Sequence, residues 1–238
     1  MNLDKKIVLV TGGTGGLGRE VSMAFLDAGA TVLVSFRVAE EYASLVAAAE
    51  KIGASKPIGA DVDVTDALAV EKFIAGIVAD HGRLDILVNT VGGYAGGTNL
   101  WDSDARTYDK MLALNLAAGY VLARAVVPQM IKQNRGWVVN IASKAAIDHA
   151  AGGSLYAASK AAALAMMDSL AADVKPFNIN VNSILPSIID TAANRAAMPK
   201  ADFSKWPKPE EIARVILFLC TEDARVIHGA AIPVYGRS

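Results

Sequence analysis

The chain has 238 residues, 53% apolar and only 6% aromatic, enough for one large α/β domain whose core is built from Ala, Val, Ile and Leu rather than rings. Its 23 basic and 24 acidic residues give a formal charge of −1 with no long run of either sign, which removes the electrostatic case for a nucleic-acid or membrane-surface partner. A single cysteine, Cys220, excludes an intramolecular disulfide, the amino terminus lacks an apolar leader, and no uninterrupted apolar stretch approaches membrane-spanning length, so a soluble cytoplasmic protein without a membrane partner is expected.

In chain order, residues 7–10, 31–34, 57–60, 84–88, 137–141, 179–184 and 231–234 are short apolar runs, mostly β-branched, and each gap is long enough for a crossover helix. Strands apolar on both faces and separated by helices predict a seven-stranded parallel sheet with helices on both faces, a doubly wound α/β fold in a single domain over residues 1–238. The first strand runs into Thr11-Gly12-Gly13-Thr14-Gly15-Gly16-Leu17-Gly18 and then an amphipathic helix to Ala28. Glycines at a strand-to-helix turn let the backbone approach a pyrophosphate held by exposed N–H groups and the positive helix end. The spacing fits G-x-G-x-x-G through Gly13, Gly15 and Gly18, and equally T-G-x-x-x-G-x-G through Thr11, Gly12, Gly16 and Gly18. A tight turn alone would look the same, but the position after the first strand favours a dinucleotide.

Asp61, Asp63 and Asp66, on a strand end leading to a helix, read more simply as one adenine contact and negative charge near a helix start than as a cation site. A helix is expected over about residues 103–133, bent near Gly119 or Pro128. The alanine-rich segment 154–174 predicts a second helix ending before Pro176. With so little polar surface, that helix suits an interface in a homo-dimer or homo-tetramer, a well-covered monomer helix being the alternative. Residues 192–208 form a short substrate-covering segment in which Met198, Phe203 and Trp206 can cap an apolar substrate. His81, His149 and His228 are too scattered for a metal site, and Cys220 reads as a helix-packing residue.

Tyr156 and Lys160 stand four residues apart near the start of the 154–174 helix and therefore share a face. A tyrosine titrates near about 10, and a neighbouring ammonium favours phenolate, so Lys160 can tune Tyr156 for proton transfer. Ser143 lies thirteen residues before Tyr156, at the end of the strand 137–141.

Together these residues resemble the short-chain dehydrogenase/reductase family over essentially the whole chain. The glycine turn, the pair Asp63-Val64 after the third strand, Asn89 after the fourth, Asn115, Ser143, Tyr156 and Lys160 all match family positions. The resemblance implies a Rossmann-type fold and an NAD(P)-dependent oxidoreductase that moves hydride between nicotinamide and a small-molecule carbonyl or alcohol, with no metal. It implies Tyr156 as the general acid and base, Ser143 as hydrogen-bond partner of the same substrate oxygen, and Asn115 as holder of a relay water. Lys160 would bind the nicotinamide ribose and depress the tyrosine. Cofactor contacts are implied for Gly12, Thr14, Gly16, Leu17, Gly18, Arg37, Asp63, Val64, Asn89, Tyr156 and Lys160, and for Pro186, Ile188 and Thr191 after the sixth strand.

Several positions depart from the family pattern. Asn89-Thr90-Val91-Gly92 replaces Asn-Asn-Ala-Gly, Pro186-Ser187 replaces Pro-Gly where serine disfavours positive φ, and the carboxy-terminal Asp-Gly-Gly is missing. At the end of the second strand, Phe36 stands where NAD-preferring relatives carry a carboxylate. Arg37 beside it can fork onto a 2′-phosphate and Ser35 can add a hydroxyl, so NADP is favoured over NAD, against Gly15 where NADP users often have a basic residue. Two other readings stay open: a non-catalytic nucleotide sensor on this fold, and an epimerase or dehydratase with a related Tyr and Lys pair. An intact proton relay argues against the first, and the lack of an extra carboxy-terminal substrate domain against the second.

Overall fold

The computed structural model describes residues 3–238. Seven strands form one parallel sheet: β1 (Ile7–Thr11), β2 (Thr31–Phe36), β3 (Ile58–Asp61), β4 (Ile86–Asn89), β5 (Gly136–Ile141), β6 (Ile179–Pro186) and β7 (Ala231–Val234), in the order β3-β2-β1-β4-β5-β6-β7. Side-chain alternation divides the core. Val8 and Val10 face α1 (Gly18–Asp27), α2 (Ala39–Lys51) and α8 (Pro209–Leu219), whereas Ile7 and Leu9 face α3 (Ala67–His81), α5 (Ala118–Gln133) and α6 (Ser154–Val174). This is the Rossmann-type doubly wound fold. Strand order reverses between β1 and β4, which opens a crevice at their carboxyl ends.

Several strands run further toward that crevice than apolarity alone suggests, because their last residues are polar yet paired. The Thr11 hydroxyl donates to Asn89 Oδ1 at 2.9 Å, and Asn89 Nδ2 donates to Asn140 Oδ1 at 3.0 Å, a buried row across three strands. The long helix runs from α4 (Ala105–Leu112) through one π-turn (Ala113–Ala117) into α5. Its irregularity thus falls at Asn115 rather than at Gly119 or Pro128, and π-turns often mark functional sites.

By length and composition the continuous helix 105–133 could cross a membrane, with mean hydropathy 1.5 over its most apolar window. Here its Val121, Leu122, Val126 and Met130 are seated against the sheet. After β6 come α7 (Ala192–Ala197) and a tight turn at Phe203–Lys205. Trp206 is 7% exposed and packs on Phe203 at 5.0 Å, with the Arg195 guanidinium 4.9 Å above the Phe203 ring. Trp206 therefore anchors this segment instead of capping a substrate.

Candidate active site

At two positions of the turn the backbone demands glycine. Gly12 sits at φ +67°, and a Cβ on Gly18 would lie 2.0 Å from the Gly12 carbonyl oxygen. Two hydroxyls fix the turn: Gly12 N–H donates to Ser35 Oγ at 3.0 Å, and Thr90 Oγ donates to the carbonyl oxygens of Thr11 and Gly12 at 2.7 and 3.2 Å. The substitution at Thr90 thus replaces an amide by a second clamp on the turn. Ser35, the acceptor of the first bond, is 2% exposed and sits at the wall of the cleft.

Over the turn lies an open cleft of about 460 Å³, walled by Gly12, residues 14–18, 35–37, 62–65 and 90–92. Its glycine floor, N–H-rich helix start and length suit a dinucleotide. Gly12, Thr14, Gly16, Leu17, Gly18, Arg37, Asp63 and Val64 all line it. Asn89 does not: it is 3% exposed, and its side chain joins Thr11, Asn140 and the N–H of Val91 inside the sheet end. Thr191 lies against the turn, its methyl 2.9 Å from where a Gly16 Cβ would stand. Pro186 is buried at the end of β6, and Ile188 is 39% exposed beyond it. Ser187 stays out of the positive-φ region, and its hydroxyl donates to the Tyr235 carbonyl oxygen at 2.8 Å, so the missing glycine there strains nothing.

The end of the cleft beside β2 and β3 gathers several carboxylates. Arg37 lies 3.2 Å from Asp61, both well exposed, and Phe36 stacks on Tyr42 at 4.7 Å. Glu41, on the first turn of α2, accepts a hydrogen bond from Thr14 Oγ at 2.9 Å and borders the cleft. Asp63 accepts from the N–H and hydroxyl of Thr65 at 2.9 and 2.6 Å, which holds its carboxyl below the usual range. Asp66 caps α3 through the N–H groups of Leu68 and Ala69.

Behind Gly92 in the cleft wall, where a Cβ would meet Asn115 Oδ1 at 2.9 Å and Lys160 Nζ at 3.1 Å, α6 carries Tyr156 and Lys160, the segment after β5 carries Ser143 and the π-turn carries Asn115. Burial raises the Tyr156 phenol above its ordinary value, the Ser143 hydroxyl pulls it back, and the nearby Tyr94 phenol raises it again. Lys160 is 5% exposed and donates to the Ile141 carbonyl oxygen at 2.8 Å, and its burial pushes it down to about 8. Asn115 Nδ2 donates to the Gly93 carbonyl oxygen and to Ser159 Oγ, each at 3.0 Å. Glu41 and Thr90, which border the cleft, and Tyr94 and Ser159, which touch Tyr156 and Asn115, were missed because no local motif marks them; only the fold brings them to these places.

The family profile described as short chain dehydrogenase matches residues 6–202. The 3-oxoacyl-(acyl-carrier-protein) reductase FabG of Thermotoga maritima is 32% identical, over 99% of this chain and 98% of that protein. Among solved structures, ElxO with NADP bound superposes with a TM-score of 0.89 at 27% identity, covering 97% of each chain. NAD+-bound xylitol dehydrogenase superposes with a TM-score of 0.92 at 25% identity, covering 99% of this chain and 100% of that one.

Proposed function

Since the chain belongs to the short-chain dehydrogenase/reductase family, we propose that it interconverts a small carbonyl compound and its alcohol with NADP(H), using Tyr156 as general acid and base. The observation that carries this reading is the convergence of Ser143, Tyr156 and Lys160 beside a glycine-floored cleft. A bound nicotinamide supplies or accepts the hydride. Tyr156 gives its proton to the substrate oxygen in reduction and takes it back in oxidation, while the Ser143 hydroxyl holds that oxygen. Lys160, its ammonium withdrawn from water, is placed to bind a ribose hydroxyl, and Asn115 fixes the helix turn below it. Incubation with carbonyl and alcohol panels and both nicotinamide cofactors tests the reading; no nicotinamide-linked turnover with any of them would reject it.

NADP(H) preference rests on Arg37, whose guanidinium borders the cleft with no carboxylate at Phe36. Glu41 and Asp61 act against it, the first as a negative wall and the second as the partner a 2′-phosphate must displace. The pair with Asp61 is exposed and therefore weak, so the phosphate wins. Arg37→Ala should weaken NADPH about tenfold to a hundredfold and NADH within about twofold, the value of a charge-assisted bond, while Asp61→Asn should tighten NADPH. Dissociation constants check both; equal effects on the two nucleotides, or tighter NADH binding in the parent, would reject the preference.

Lone Cys220, buried, with burial pushing its thiol up, supports a structural thiol and a reducing, cytoplasmic address. A homo-dimer or homo-tetramer is proposed through α5 and α6. Only 39% of the most apolar window in helix 105–133 is buried, with Tyr108 and Tyr120 about half exposed, and the outward side of α6 carries the small Ala158, Ala165 and Ala172. Light scattering at micromolar concentration should report at least a dimer, and a monomer alone would overturn the interface.

A further inference from the structure

The loop after β4 reads Val91-Gly92-Gly93-Tyr94-Ala95-Gly96-Gly97, a composition that ought to move, yet it is held at two points. Asn115 pairs with Gly93 in both directions: its Nδ2 donates to the Gly93 carbonyl oxygen at 3.0 Å, and Gly93 N–H donates to its Oδ1 at 2.9 Å. Asn115 is itself fixed by Ser159, whose hydroxyl donates to the Tyr156 carbonyl oxygen at 2.8 Å. Further on, Gly97 N–H donates to the Gly152 carbonyl oxygen at 3.0 Å, which ties the loop to the segment just ahead of α6.

Between these anchors the ring of Tyr94 meets Tyr156 edge to face, centroids 5.0 Å apart at 73°. Tyr94 nevertheless remains 74% exposed. A lone exposed aromatic on a mobile loop needs no explanation. One pinned beside the proton-transferring phenol and left open on its other sides is a wall awaiting a partner. Two further apolar side chains are exposed on the segments that follow β5 and β6: Ile147, four residues past Ser143, at 57%, and Ile188 at 39%. In the same segment as Ile147, Lys144 is turned to other partners, 3.7 Å from Asp148 and 5.2 Å above the Tyr235 ring.

We propose that Tyr94 is a substrate-binding residue whose ring packs against an apolar ring on the carbonyl carbon, so that the preferred substrates are neutral ketones or secondary alcohols bearing an aryl or cycloalkyl group. This rests on the oxidoreductase reading above and gives it a substrate class. Apolar contact at such a wall discriminates by about tenfold to a hundredfold, because the binding is graded by buried area and leaves no buried polar group unpaired when the ring is missing.

The test compares the parent, Tyr94→Phe and Tyr94→Ala with acetophenone, cyclohexanone and butan-2-one, following NADPH oxidation. Tyr94→Ala should raise KM at least about tenfold for the two ring ketones and stay within about twofold for butan-2-one, whereas Tyr94→Phe, which keeps the wall, should resemble the parent. Equal loss on all three ketones would mean that Tyr94 only props the loop, and no loss would mean that it touches nothing; either result overturns the proposal. Should the parent turn over none of them, the oxidoreductase reading is decided by the wider carbonyl and alcohol panel above, and the wall is judged separately by calorimetric binding of acetophenone to the NADPH complex. Weaker binding in Tyr94→Ala than in the parent supports the wall, and equal or absent binding refutes it.

Discussion

Tyr156→Phe should lower turnover in both directions by about a thousandfold, the contribution of a positioned proton donor, while nucleotide affinity stays within about twofold. The substitution removes one oxygen and keeps the ring, so the edge-to-face contact with Tyr94 survives and Ser143 keeps its bond from the N–H of Ala145 at 3.1 Å. With burial holding the Tyr156 phenol above its ordinary value, the parent carries its proton throughout the neutral range. Reduction should therefore be flat on the acid side of about pH 8, where Lys160 keeps its ammonium, and alcohol oxidation should rise with pH over that range as the small phenolate fraction grows. Steady-state rates with a responsive substrate, alongside NADPH binding by fluorescence, check both halves. Near-normal turnover in the phenylalanine variant would remove Tyr156 from the mechanism.

Lys160→Met should do opposite things to activity and to stability. The side chain is 5% exposed and donates to the Ile141 carbonyl oxygen, and burial pushes it down to about 8 from an unfolded value of 10.5. A lysine depressed on folding destabilises the folded chain most where both states are protonated, below pH about 8, and the penalty fades as pH rises toward 10.5. Its size is on the order of 3 kcal/mol at neutral pH, offset by about 1 kcal/mol for the lost hydrogen bond. Methionine, of similar length, should thus stabilise the nucleotide-free protein by roughly 2 kcal/mol at pH 7 and by little above pH 10.5. Turnover and nucleotide affinity should fall together, since the ammonium is assigned to both. Urea unfolding at the two pH values and binding of NADPH decide the matter; a variant less stable at pH 7, or one with unchanged nucleotide affinity, would contradict these assignments.

Much of this protein was readable from its residues alone. The parallel sheet follows from short apolar runs separated by helix-length gaps, the turn from glycines that sterics reserve for close backbone approach, and the shared face of Tyr156 and Lys160 from a spacing of four in one helix. Each is a local property, decided within a turn or a strand. What tertiary structure decided lies between segments far apart in sequence. Asn89 turns away from the cleft because Thr11 and Asn140 stand beside it in the sheet register, and Ser35 is taken by Gly12 across neighbouring strands. Glu41 meets Thr14, 27 residues away, at the cleft, and Tyr94 meets Tyr156 from a loop that Asn115, in the π-turn, holds at Gly93. Periodicity and spacing record which way a side chain points from its own backbone. Which polar group meets it there depends on packing that brings distant segments together, and that choice leaves no local trace in the chain.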